Sequence, residues 1–568
     1  MHRRVFYPRI LEVFKSYNGK QFSADMMAGI IVGIVAIPLA IAFGIASGVG
    51  PTEGLITAVV AGFIVSVMGG TKVQIGGPTG AFIVIVYGII QQYGLSGLMI
   101  ATMMAGVILV LMGVCRFGSV IKFVPYPVIV GFTGGIALTI FSTQMNDFFG
   151  LGLKGIPADF LHKWIFYFQN FTHIHWPSFF VALGSLAVIV IMPKITKKIP
   201  GSLVAIILAT VTVWLLEKYA GVEGIRTIGD VHTLPKGMPL PHIPKLDLQE
   251  GQTFLSMIQN LISPAFTIAI LGAIESLLSA MVADGVIGDK HHSNTELIAQ
   301  GCANILSPLF GGIPATGAIA RTMTNINNGG RTPIAGVVHS VVLLLVLLFL
   351  GRFVGMIPMP CLAAVLVVVA YNMSGWRTFV SLAKAPKSDF SVLIATFILT
   401  VVFDLTIAIE IGLLMALVLF LRRTNETTEI RVFKHEIDPK AESDAVIASE
   451  QKLKIPEGVA VYEIDGPYFF GIANKFEEVM MTVGDKPKVR IIRMRKVAFI
   501  DSTGLHNLAV LCRRSAKENV RIVLSGVNGK VRHTLHRAGF EKIVGEKFIC
   551  SNINEALRVA GEIAGIKP

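Results

Sequence analysis

The stretch QIGGPTGAF, residues 74–82, decides how the chain is read. It holds three glycines, one proline and no charge, inside an otherwise apolar region. Far downstream, GGIPATGA at 311–318 repeats the phrase: a Gly-Gly, then a Pro, then Thr-Gly-Ala. Both phrases break helices, and each opens a short apolar segment.

The chain around them has 568 residues, of which 53% are hydrophobic and 15% charged. Soluble domains of ordinary composition carry roughly 25% charged residues. Residues 24–423 contain many windows of about 20 apolar residues, the length that crosses a bilayer. A polytopic α-helical membrane protein follows. Residues 1–23 are basic but lack the apolar core and small-residue cleavage site of a signal peptide. The net charge of +13 reads as an excess of cytoplasmic Lys and Arg, not as nucleic-acid binding. Five scattered cysteines, without a CxxC or a nearby His pair, indicate neither a disulfide framework nor a metal site. No cofactor is expected.

Fourteen membrane segments are predicted, near 24–47, 53–69, 78–92, 97–115, 125–145, 177–193, 200–217, 258–283, 294–310, 317–327, 332–351, 360–374, 388–403 and 405–422. With the N-terminus inside, the cytoplasmic connections hold Arg3, Arg4, Lys72, Arg116, Lys122, Lys197, Lys198, Lys290, Arg331, Lys384, Arg422 and Arg423. The short outer loops hold almost no Lys or Arg, and the longer outer connections 146–176 and 218–257 count little in this rule. Both termini are therefore expected in the cytoplasm, in the inner membrane of a bacterium.

The two phrases open the third and the tenth segments. These lie seven apart, so fourteen divides into seven plus seven, near 24–217 and 258–422. An odd-numbered repeat enters the membrane upside down relative to its partner. Paired Gly/Pro-interrupted segments in inverted halves mark the substrate site of secondary transporters. Helices starting near Thr79 and Thr316 would aim unsatisfied N–H groups and positive dipole ends at one point. Such a point suits a small anion. Thr79 and Thr316 add hydroxyl donors, and the glycines, Gly80 among them, allow close approach to the backbone.

Two charges sharpen this reading. Arg321, in GAIARTMTN, lies one turn into the tenth segment, where a charge is a functional candidate by default. It suits bidentate contact with an anion; pairing with Glu275 is the alternative. Glu275, in segment eight, could exchange a proton and couple transport to a proton gradient, or hold Na⁺ together with Ser279 one turn on. In segment one, Pro38 interrupts the helix, and Phe43 is a candidate wall of the pocket.

After Arg423 the composition changes. Residues 424–455 read as a polar linker, and 456–568 as a soluble α/β domain. Strands are expected over 458–465, 488–497 and 520–527, with helices over 474–484 and 502–519, alternating as in a helix-covered sheet.

Together, the Pro-x-Ala-x-Ala-like run at 38–42, GGPTGAF, acidic segment eight, GGIPATGAIART, NNGGRTP at 327–333 and AFIDSTGLHNL at 498–508 resemble the SulP anion transporters, solute carrier family 26 in animals. The resemblance spans nearly the whole chain. It implies a uracil-permease-like fold with core and gate domains, a C-terminal STAS domain and a homodimer. By matching position, the family's anion site falls on Phe43, Thr79, Gly80, Ala318, Ile319 and Arg321. Na⁺-using bicarbonate members carry Asp then Thr where this chain has Glu275 and Ser279, and lack the Arg. That difference favours protons. Leu39 stands where animal members often have Gln. In the STAS signature, Thr503 matches a phosphorylated position; a plain cap by Asp501 or Ser502 is the simpler reading. His291 and His292 are expected to be solvated.

The function expected is secondary active transport of a small anion, a C4-dicarboxylate or sulfate, with bicarbonate also fitting. Its alternatives are an anion channel, a Na⁺-coupled bicarbonate symporter, or a sensor whose membrane part mainly serves the STAS domain; a regulatory protein is the partner expected for that domain. No nucleophile–base pair, Walker phosphate loop or metal cluster points to an enzyme.

Overall fold

The computed structural model describes residues 6–13, 17–119, 125–157, 159–195, 200–232, 240–242, 254–384, 386–403, 405–437, 453–472 and 487–565. The chain divides into two units, Met1–Ala416 and Leu417–Pro568.

The first half of the membrane unit contains α1 (Gly19–Ala46), α2 (Pro51–Met68), strand β1 (Gly76–Gly77), α3 (Ile83–Val114), α4 (Tyr126–Thr143), the short α5 (Phe160–Gln169), α6 (Trp176–Ile195) and α7 (Gly201–Ala220). The second contains α8 (Phe254–Ile287), α9 (Ser293–Leu306), strand β2 (Thr316–Gly317), α10 (Ile319–Asn327), α11 (Ile334–Phe349), α12 (Met359–Met373), α13 (Lys387–Val402) and α14 (Leu405–Thr427). Every expected membrane segment has a helical counterpart. The third and fourth run together as α3, interrupted at Gly94, whose backbone is left-handed at φ 68°. Among the described residues, eight helical runs are long and apolar enough to cross a membrane on their own. The broken and shorter helices, such as α10, are not, because neighbouring helices rather than length hold them in place.

The packing repeats between the two halves. Exchanging each helix for its counterpart maps one packed pair onto another. Helix α9 packs on α3, and its image α2 packs on α11; α8 packs on α3, and α1 on α11. The pair α4–α13 likewise maps onto α12–α6. Helices α1–α3 and α8–α11 form one bundle, the core, and α4, α6, α12 and α13 another, the gate. Small residues permit the tightest core crossing. A Cβ on Gly106 of α3 would stand 2.7 Å from the carbonyl oxygen of Gly301 on α9, the close approach that membrane helices use in place of a hydrophobic driving force.

Two buried acids that sequence reasoning passed over hold the core's connections. Glu296, at the start of α9, is fully buried and accepts from the Gly70 amide at 2.9 Å, Thr71 Oγ1 at 3.0 Å and Gln300 Nε2 at 2.9 Å. Asp25 of α1 accepts from the Arg331 amide at 2.8 Å and Thr332 Oγ1 at 2.6 Å. His291 also departs from expectation: its ring is nearly buried, with Nδ1 2.6 Å from Asp284 Oδ2.

The second unit is built on a five-stranded sheet of order β3-β6-β7-β8-β9: Glu429–Phe433, Val459–Asp465, Val489–Arg493, Arg521–Ser525 and Ile549–Cys550. Strands β6 to β9 are parallel, and β3 is an antiparallel edge strand. Helices α15 (Ser502–Lys517), α16 (Gly529–Arg537) and α17 (Ile553–Ala564) accompany it, around a core that includes Tyr462, Ile491, Leu508 and Val523. The expected strands and the 502–519 helix are present; the helix expected over 474–484 lies outside the described residues. The stretch 424–455, expected as a linker, is partly structured. Helix α14 continues to Thr427, β3 joins the sheet, and β4 (Glu436–Ile437) pairs with β5 (Leu453–Lys454). Five residues with alternating Ile430 and Val432 are too short a signal to stand out among charges. Cys512 lies in this core, and burial pushes its thiol up to about 12.

Candidate functional site

The two Gly/Pro phrases meet. Gly76 pairs with Gly317 and Gly77 with Thr316, a two-residue antiparallel ladder. The Ala318 amide continues it, donating to the Ile75 carbonyl at 2.9 Å. A helix leads away from the ladder on each side. Thr79 is the cap of the first: its Oγ1 accepts from the Ala81 amide at 3.1 Å, ahead of a turn of 3-10 helix at Gly80–Phe82 and then α3. Ala318 precedes the second, α10, with no side-chain cap. This helix begins at Ile319, three residues beyond the expected Thr316, because Thr316 is held in the ladder.

Glu275 on α8 joins the two. Its Oε2 accepts from Thr79 Oγ1 at 3.0 Å and from Thr316 Oγ1 at 3.3 Å. One carboxylate oxygen thus takes a hydroxyl from each half. A cavity of about 130 Å³ opens beside it, lined by Glu275, Leu271, Ile274 and Leu278 of α8, Ile319 of α10, and Phe132 and Thr133 of α4. It lies between core and gate.

The other candidate residues take distinct places. Gly80 is covered: a Cβ there would stand 2.8 Å from Met373 Sδ, 3.4 Å from Ile140 Cδ1 and 3.5 Å from Phe43 Cε1. Phe43 lies against the first helix start, together with Met373 and Ile140, two gate residues without a sequence signal of their own. Arg321 is 1% exposed and sits behind the ladder. Its Nη2 donates to the Pro78 carbonyl at 2.6 Å, and its Nη1, buried, has no hydrogen-bond partner among the described residues. Arg321 neither pairs with Glu275 nor lines the 130 Å³ cavity. Ser279 is 3.3 Å from Thr322 Oγ1, which also accepts from the Ile75 amide at 3.1 Å. Thr322 and Ser276, whose Oγ accepts from the Gly317 amide at 3.0 Å, are further supports of the ladder. Serine and threonine are too common in membrane helices for either to have been picked out by sequence. Thr503 belongs to the second unit, exposed in the first turn of α15, and Asp501 caps that turn by accepting from the Gly504 amide at 2.7 Å.

Two inverted halves whose broken segments meet at a polar point between core and gate define a membrane anion transporter, not an enzyme. The Sulfate permease family model matches residues 22–396, and the STAS domain model matches 450–556. The chain belongs to the sulfate permease family and carries a STAS domain. It is 42% identical over 538 residues to the protein named "Putative sulfate transporter YvdB" of Bacillus subtilis (strain 168), spanning 94% of this chain and 97% of that one. It is 29% identical over 537 residues to the bicarbonate transporter BicA of Picosynechococcus, spanning 91% of each. Among solved structures, the transmembrane domain of a cyanobacterial BicA matches with a TM-score of 0.59 at 29% identity, covering 70% of this chain and 98% of that one. Murine Slc26a9 in its inward-facing state matches in fold, with a TM-score of 0.85 at 19% identity, over 98% of this chain and 94% of that one.

Proposed function

We propose that this chain is a proton-coupled carrier of a small oxyanion, sulfate before others, working by alternating access with the anion held between the starts of α3 and α10. The observation that carries this reading is Glu275 Oε2, which accepts a hydroxyl from each half of the repeat. An ionised Glu275 occupies the donors an anion needs and repels it. Protonation removes that charge and lets Thr79 and Thr316 turn to the substrate. Anion and proton then bind together or not at all. Arg321 adds a fixed positive charge behind the ladder, with one buried N–H left to satisfy, a group whose desolvation is offset best by an anion. The first amides of α10 face the same point from beside Ile319. Ser279, engaged with Thr322, offers Na⁺ less than an acid alone offers a proton.

Two helix ends and one guanidinium favour a doubly charged oxyanion, and the relationship to YvdB favours sulfate. Bicarbonate is the second reading, on the likeness to BicA in sequence and fold; C4-dicarboxylates complete the set for competition. Both termini in the cytoplasm, a homodimer, and a STAS domain that docks a regulatory protein rather than being phosphorylated at Thr503 belong to the same proposal.

The test is proteoliposome uptake of labelled sulfate. An inward proton gradient should drive accumulation above equilibrium, and uptake should rise as external pH falls, because the protonated form of Glu275 is the one that admits the anion. In Glu275→Gln, which mimics that form, uphill accumulation and pH response should vanish while downhill exchange persists. An unchanged pH response in Glu275→Gln overturns the proton role; downhill flux indifferent to pH in the parent favours a channel.

A further inference from the structure

A second cavity, of about 190 Å³, lies between the end of α1, the end of α4, α5 and α12. That exceeds several-fold the ~30 Å³ share of one water. Ala42, one residue before Phe43, lies at its wall, and so do Gln144, Asn146, Asp147 and Lys163. Lys163 is 6% exposed, and among the described residues its ammonium has no hydrogen bond or ion pair. Burial draws it below the ordinary lysine range. The one acid close to it in sequence, Asp159, is engaged as the cap of α5, accepting from the His162 amide at 2.9 Å. An ammonium on a mostly buried side chain is costly unless something anionic meets it.

The other polar groups suit an anion. Asn146 Oδ1 accepts from the Leu153 amide at 3.0 Å, leaving its NH₂ to donate. Asp147 is the opposing charge, but it also lines an adjoining small pocket with Arg226. Lys163 thus shares the larger cavity with Asp147, and Arg226 the smaller one. The cavity adjoins the 146–176 connection, the outer side in the orientation proposed above, and touches both core (Ala42) and gate (Gln144).

We propose that this cavity is a second, outer site for a small oxyanion, with Lys163 as its charged ligand, loaded from outside before the anion passes Phe43 to the central site. Its outer position rests on the proposed orientation; its existence does not rest on the central reading. An anion held here replaces the acceptor that Lys163 lacks and shortens the path to the covered Gly80.

The probe is ³⁵S-sulfate, counted by equilibrium dialysis against the purified full chain in nanodiscs. Two sulfates per chain are expected. Lys163→Met should lose one and raise the external sulfate concentration for half-maximal uptake about tenfold, the size expected for a charged hydrogen bond, with the pH response intact. Lys163→Arg should keep both. Asp147→Asn, which removes the opposing carboxylate, should tighten the second site several-fold. No sulfate in the parent, an unchanged count in Lys163→Met, or a site at Lys163 not tightened in Asp147→Asn overturns the inference. Loss of one sulfate in Lys163→Met but none in Arg321→Ala would instead leave this site standing and sink the central one.

Discussion

The two broken segments share a backbone plan and differ in what they present. In the first, Thr79 caps its own helix and donates to Glu275, Gly80 is roofed by Phe43, Ile140 and Met373, and α3 runs on for 32 residues. In the second, Ala318 offers no side-chain cap, α10 is nine residues long, and Ile319 is 42% exposed beside the cavity. Only the second copy is followed by a buried arginine. The first half supplies a closed, capped wall; the second supplies an open helix start and the charge. An inverted repeat can therefore keep symmetric geometry and still divide the chemistry, because symmetry constrains backbones while side chains diverge freely.

That division can be broken by experiment. The largest effect is expected at Arg321. Arg321→Ala should lower sulfate uptake about 100-fold, in keeping with loss of a buried charge-assisted contact, measured as initial rates in proteoliposomes. A rate near the parent's would make the two halves equal and remove the asymmetry. Next comes Gly77, whose φ of 151° lies outside the range of L residues and where a Cβ would collide with Arg321 Nη1. Gly77→Ala should cost about 1–3 kcal/mol of stability, read as a lower thermal midpoint, while Gly88→Ala, with open space around it, should not. Equal midpoints would mean that the ladder does not press on Arg321. The smallest effect separates the threonines. Thr79→Val loses both a cap and a hydroxyl donor, Thr316→Val the donor alone. Thr79→Val should weaken uptake about tenfold and Thr316→Val about threefold, by the usual worth of a neutral hydrogen bond. Equal losses would mean that the first half's cap contributes nothing to transport.

Much of this was legible beforehand. Gly-Gly-Pro phrases are loud signals, since glycine and proline change backbone freedom wherever they stand. Two of them at matching places point to an inverted repeat without any knowledge of contacts. Arg321 and Glu275 stood out because charge is rare at membrane depth. Other features were silent. Glu296 and Asp25 lie near segment ends, where acids are ordinary, and only folding buries them. Lys163 sits in a connection that reads as an outer loop, yet it is folded under its neighbours. Strand β3 was hidden by the charges around it.

The sequence by itself determined that the chain crosses the membrane many times, that its pattern divides into two halves, and that each half breaks at a Gly/Pro phrase. Hydropathy, charge bias and helix breaking are local properties, and local properties survive in a string of letters. The tertiary structure decided which groups meet: that Glu275 takes a hydroxyl from each half, that Arg321 stands behind the ladder rather than in the cavity, and that Met373 and Ile140 cover Gly80. Those pairings join residues as far apart as Gly80 and Met373, and no local rule of propensity or spacing carries a side-chain distance that only packing sets.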